Sequence, residues 1–134
     1  MAHTNPVAVD IHAALDALPT LEGRTPDSPG EDLCSAFATL ALTETGGVFT
    51  GTFSGESAWE RHSQGDELVQ VLKGETHLTI LHETDQTNMT LSAGMLTIVP
   101  RGCWHKFKAE KPVSLITMTP QPTDHSMAAD PREE

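Results

Sequence analysis

The chain contains no tyrosine, only four phenylalanines and two tryptophans, two cysteines, and eight Lys plus Arg. So few aromatic rings offer little stacking surface for sugars or nucleobases. Cys34 and Cys103 lie far apart in sequence and fit neither a disulfide framework nor a CxxC zinc or redox pattern. Each reads as a small buried hydrophobe in a reducing compartment. Against the eight basic residues stand 19 Asp plus Glu, a formal net charge of -11. That charge repels phosphate backbones and anionic lipid alike, and no Lys/Arg cluster offsets it locally. Nucleic acid and membrane are therefore excluded as expected partners. No apolar run approaches the length of a membrane span. The opening MAHTNPVAVD lacks the basic and apolar regions of a signal peptide. The expectation is a soluble, cytoplasmic protein.

What is present fits one domain of ordinary size. The 134 residues include 37% hydrophobic residues and ten glycines, enough to bury a core without disulfides. Near the N-terminus, DIHAALDALP predicts a short helix, with Asp10 as cap, Ile11, Ala14, Leu15 and Leu18 as its apolar stripe, and Pro19 ending it. The Pro- and Gly-rich stretch from Pro19 to Pro29 reads as loop. Short runs rich in Val, Ile, Thr, Phe and Leu follow: LCSAFATLAL, GVFTGTF, SAWERH, ELVQVLKG, THLTILH, NMTLS, MLTIVP, WHKFKA and VSLITMTP. Their spacing is that of an all-β sandwich or barrel. Strand-helix alternation is missing, as are GxGxxG and GxxxxGK[ST], which argues against a doubly wound nucleotide-binding fold. The predicted organisation is an N-terminal extension over 1–32, a β-barrel or jelly roll over 33–120, and a flexible acidic tail over 121–134, free or laid along a partner surface.

Strand alternation then places side chains. In SAWERH, Ala58, Glu60 and His62 share one face, and Trp59 and Arg61 the other. Glu67, Val69 and Val71 share a face of the next strand, and a hairpin brings Glu67 back toward His62. After Gly94, the strand MLTIV, Pro100 and Gly102 lead to WHKF, where His105 and Phe107 share a face, bringing a second imidazole to the same barrel mouth.

The segments WERHSQGDELVQVLKG (59 to 74) and GMLTIVPRGCWHKF (94 to 107) resemble the two motifs of the cupin family. His62, Glu67 and Gly74 match the first, and Gly94, Pro100, Gly102 and His105 match the second. The resemblance implies a cupin-type double-stranded β-helix, a jelly-roll barrel that is all-β with a short N-terminal helix. Three positions depart from the pattern: Glu60 replaces the first histidine, Ala109 the final asparagine, and Ser54 the leading glycine, with Gly55 one place off. The family's ligand set carried onto this chain becomes Glu60, His62, Glu67 and His105, holding a divalent metal ion such as Fe, Mn, Ni or Zn. In one reading Glu60 is the fourth ligand. In the other it stays free as a catalytic general base, leaving a two-His, one-carboxylate set of the kind associated with non-haem Fe(II) oxygenases. Two carboxylates converging in an apolar barrel disfavour each other's ionisation, and a divalent cation resolves that conflict. The competing arrangement has Glu60 and Glu67 solvated at the rim and the histidines satisfied by hydrogen bonds.

The resemblance also bears on function. Related barrels that epimerise nucleotide sugars use a tyrosine acid, which this chain lacks. The expected pocket is apolar, lined for example by Phe49, Val69, Val71, Met95, Ile98, Phe107 and Met118, and suits a small, partly apolar molecule with one metal-binding oxygen. The implied activity is that of a dioxygenase, isomerase or lyase, with a non-catalytic ligand-binding, sensor or regulatory module as the alternative. His77 and His82 read as surface residues. Trp59 and Trp104 read as packing or subunit contacts, and Arg61 and Lys106 as outward-facing. Cys103 reads as a packed turn residue, a redox-sensitive thiol or a soft ligand. A homodimer is expected, since the edge strand near LCSAFATLAL needs cover.

Overall fold

The Asp10 carboxylate accepts from the Ala13 amide at 3.0 Å and so caps α1 (Ile11–Asp16), which buries Leu15. This computed structural model describes residues 6–133. The stretch expected to be loop contains a strand, β1 (Leu21–Arg24), because its backbone finds a parallel partner in the chain around Phe53 and Gly55. A second correction follows at once. Residues 33–36, expected to open a strand, lie in a helix, α2 (Gly30–Ala36). Its first turn carries Glu31 and Asp32, which complement the positive end of the helix. Seven residues are too few to display a helical period.

The strands that follow are β2 (Phe37–Leu42), β3 (Gly46–Glu56), β4 (Trp59–His62), β5 (Glu67–Lys73), β6 (Glu75–Leu81), β7 (Gln86–Ser92), β8 (Leu96–Val99), β9 (His105–Pro120) and β10 (Thr123–Ser126). WHKFKA and VSLITMTP, read as two strands, are one. Glu110, Lys111 and Pro112 look like a turn, but β9 passes through them as a bulge: Ala109 pairs with Gly55 and Val113 with Phe53, so these three residues stand against Ser54 alone of β3. The tail expected to be flexible is also ordered by pairing. β10 lies antiparallel on β4, with His125 opposite Glu60 and Thr123 opposite His62. Beyond it Pro131 is buried and Arg132 donates to the carbonyls of His82 and Asp85 at 2.7 and 3.0 Å.

β9 organises the fold. Its first residues pair with β6, β4 and the end of β3, and its second half with β5 and the start of β3. β7 extends β6, β8 extends β5, and β2 lies on β3. The ladder does not close into a ring, and the two halves enclose a core of Phe53, Val69, Val71, Leu78, Val113 and Leu115 with their neighbours. This is a jelly roll, the fold that the two motifs imply. A separate cluster of Trp59, Leu81 and Trp104 packs on the other side of β4, where the Arg61 guanidinium lies 4.4 Å from the Trp104 ring and Lys106 Nζ 5.4 Å from that of Trp59. No helix among the described residues is long and apolar enough to cross a membrane.

Candidate metal centre and pocket

His62 ends β4, Glu67 begins β5 and His105 begins β9, so three strand termini deliver the three side chains to one place. All three are buried. Glu67 Oε1 lies 3.0 Å from His105 Nε2, and Glu67 Oε2 lies 3.4 Å from His62 Nε2. One donor atom from each residue falls within 4.8 Å of the others. Despite this proximity, His62 Nε2, Glu67 Oε1 and His105 Nε2 have no aligned hydrogen-bond partner. Three buried, unsatisfied donor atoms facing one another are what an ion would satisfy. The 3.0 Å between Glu67 Oε1 and His105 Nε2 is close to the roughly 3–3.4 Å expected between neighbouring donors on an ion with bonds near 2.1 Å.

Their other atoms are held. His105 Nδ1 donates to the Cys103 carbonyl at 3.2 Å, which leaves Nε2 as the lone-pair nitrogen of the neutral ring. His62 Nδ1 lies 3.0 Å from Thr123 Oγ1, and the Thr119 hydroxyl donates to Glu67 Oε2 at 2.6 Å. Burial acts to raise the Glu67 carboxyl, but the close imidazoles of His105 and His62 prevail and lower it to about 2. For His105, burial opposes the charged ring while Glu67 favours it more strongly, with a net upward shift.

Glu60 stands apart from this trio. It faces a cavity of about 450 Å³ that also reaches Glu67. Its Oε1 lies 3.9 Å from Arg24 Nη2 and its Oε2 3.9 Å from His125 Nε2. The two-His, one-carboxylate set is therefore the one brought together, with Glu60 on the adjoining wall. Phe49 and Phe107 line the cavity as expected. Val69 and Val71 belong to the packed core. Met95, Ile98 and Met118 do not face it: they are exposed on the outer surface, and on β9 the inward positions are Leu115, Thr117 and Thr119. A separate depression of about 500 Å³ at Gly74, His77 and Lys108 shares no residue with the trio.

Arg24, Phe37 and His125 complete the cavity and were not foreseen. Each comes from a segment outside the two motifs. His77 and His82 are surface residues, bonded to Thr90 and Thr87. Cys103 packs against the core, where burial and Asp66 raise its thiol, and it is not among the converging donors.

Residues 50–119, just over half of the chain, match the family described as Cupin domain. No curated protein matches the chain. Among solved structures, a cupin-2 domain containing protein from Shewanella frigidimarina NCIMB 400 is 24% identical, with a TM-score of 0.53 over 72% of this chain and 96% of that one. The hydroquinone 1,2-dioxygenase from Sphingomonas sp. TTNP3 with 4-hydroxybenzoate bound is 13% identical, with a TM-score of 0.54 over 77% and 83%. Drosophila melanogaster CENP-C bound to CAL1 is 16% identical, with a TM-score of 0.56 over 62% and 71%. At these identities the likeness is one of fold. The family match contains His62, Glu67, His105 and Thr119 but not Arg24, Phe37, Thr123 or His125. Jelly-roll topology, both motifs in place and a match over residues 50–119 lead to one conclusion: the chain belongs to the cupin family.

Proposed function

We propose that the protein is a metal-dependent enzyme of dioxygenase type acting on a small, partly apolar molecule. The observation that carries this reading is the set of three buried, unsatisfied donors, His62 Nε2, Glu67 Oε1 and His105 Nε2, beside a cavity. A divalent ion held there would supply Lewis acidity or, as iron, redox chemistry with O2 at coordination positions the three residues leave open. The chain's own part is to orient and to exclude water. Thr119 and the Cys103 carbonyl fix the donors, and Phe49, Phe53 and Phe107 make the cavity largely apolar. Glu60, on the same cavity, is the candidate general base.

Elemental mass spectrometry of untagged protein purified without chelator tests this. Near-stoichiometric iron, manganese, nickel or zinc is expected, and none in His62→Ala. Metal missing from the wild type and not taken up near neutral pH would reject the proposal. Exchangeable water on the bound ion would mark a catalytic rather than a closed structural site.

The same reading includes a homodimer. Ala41, Val48, Met118, Leu68 and Ile98 stand in register across β2, β3, β9, β5 and β8. With exposed Leu42 and Leu96 nearby, they give that sheet an apolar outer face. Light scattering should find a dimer, and Ile98→Glu with Met118→Glu should give a monomer that retains its metal.

A further inference from the structure

Three of the chain's four arginines donate hydrogen bonds through the guanidinium. Arg61 bonds Asp124 at 3.0 Å, Arg101 the Ser63 carbonyl at 2.6 Å, and Arg132 Asp130 at 2.8 Å. Arg24 donates none among the described residues, yet its side chain is the most enclosed, 10% exposed against 39% for Arg61 and 28% for Arg132. Its one acidic neighbour, Glu60, stays at 3.9 Å, beyond hydrogen-bond reach. A charge withdrawn from water without a bonded partner is costly, and burial accordingly lowers the Arg24 pKa.

The surroundings are built to hold it there. The guanidinium carbon lies 4.9 Å from the centre of the Phe53 ring and 5.7 Å from that of Phe37. Contacts of this kind engage the flat face of the group and leave its N–H edge for another partner. Gly55 adopts φ +100, and a Cβ there would overlap the Arg24 backbone. At Gly51 a Cβ would overlap the Phe37 ring. Both glycines let these flanking residues close over β3 and onto the cavity, which both line.

We infer that Arg24 is an anion-binding subsite of the pocket, and that the ligand is a small apolar or aromatic molecule bearing a single carboxylate. A carboxylate matches the planar donor fork of the guanidinium. One negative charge fits better than two, because Glu60 and Glu67 share the cavity and one arginine does not balance a dianion. The apolar body rests against Phe49, Phe107 and Leu115. The assignment takes this cavity to be the ligand pocket, as the functional reading does, but needs no metal.

The test uses metal-free full-length protein, so that no ion competes for the carboxylate, with benzoate and its neutral isostere benzamide as probes in calorimetric titrations. The wild type should bind benzoate about tenfold or more tightly than benzamide. Arg24→Gln should bind both alike, and Arg24→Lys, which keeps the charge without the fork and guards against misfolding of the first variant, should keep part of the preference. Zinc uptake, measured on the same proteins, should be unchanged in both variants. Equal affinities in the wild type, a preference that survives in Arg24→Gln, or no benzoate binding at millimolar concentration would each overturn the subsite. A wild type that takes up no zinc but still prefers benzoate through Arg24 would reject the metal and leave the subsite standing.

Discussion

The cavity has two walls that treat their polar groups in opposite ways. On the inner wall, Thr119, Thr123 and the Cys103 carbonyl occupy the outward atoms of Glu67, His62 and His105, leaving their remaining donors aimed at one another. On the outer wall, Arg24 Nη2 and His125 Nε2 each lie 3.9 Å from a Glu60 oxygen, close enough to attract and too far to bond. The first wall is fixed before anything binds, as a site for a cation must be. The second keeps its hydrogen-bonding capacity in reserve, as suits a group that meets a variable partner. On the proposed reading, a rigid ion site and a less committed recognition surface share one small volume.

Substitutions can separate the walls. Thr119→Val removes the hydroxyl that holds Glu67 Oε2 and should weaken zinc binding by about 10–100-fold, the usual effect of losing an outer partner of a ligand, while the benzoate preference persists. Direct zinc titration against a competing chelator checks it, and unchanged affinity would show that the inner wall does not depend on this bond. Gly55→Ala strikes the other wall. Its strained φ and the overlap with Arg24 should cost roughly 1–3 kcal/mol in urea unfolding and weaken the benzoate preference, with zinc uptake retained.

The pH dependence of stability should be a smaller effect, and it changes sign with metal. Without an ion, Glu67 lies below its ordinary 4.5, so its contribution is complete above pH 4.5 and is lost as pH falls toward 2. His105 lies above its ordinary 6.5, so its contribution is complete below pH 6.5 and is lost as pH rises through the shifted value. Thermal melts of metal-free protein should therefore show this pair contributing most between pH 4.5 and 6.5, and less above. Zinc-loaded protein should gain stability over the same rise, because a ligating imidazole must be neutral. Parallel profiles for the two forms would break the assignment of the inner wall to a cation.

The inner wall was legible in the sequence because His62, Glu67 and His105 each occupy a motif position at a strand end. Glu60 was placed on the correct face, though nothing in the sequence shows that Arg24 and His125 flank it at equal distance. The outer wall was hidden for local reasons. LEGR is four residues among prolines and glycines, and becomes a strand only because β3 is there to pair with it. GEDLCSA is too short for periodicity, and the acidic tail shows no apolar pattern because it pairs through its backbone on β4. Met95, Ile98 and Met118 were assigned inward on hydrophobicity, yet strand parity gives the inward places on β9 to Thr117 and Thr119 and leaves those three apolar side chains on the outer face.

β9 begins with His105 and ends one residue beyond Thr119, and both of these side chains reach Glu67. A strand of 16 residues would span about 50 Å if straight, so its two ends meet at one carboxylate only because the strand curves through both halves of the jelly roll. The order of events in biogenesis follows. His62 and Glu67 leave the ribosome early, but the third donor, the threonine that steadies Glu67 and the one beside His62 come from residues 105, 119 and 123. Such distant pairings form late. The proposed ion site is thus a product of the finished fold rather than its nucleus, and metal capture would report that folding has been completed.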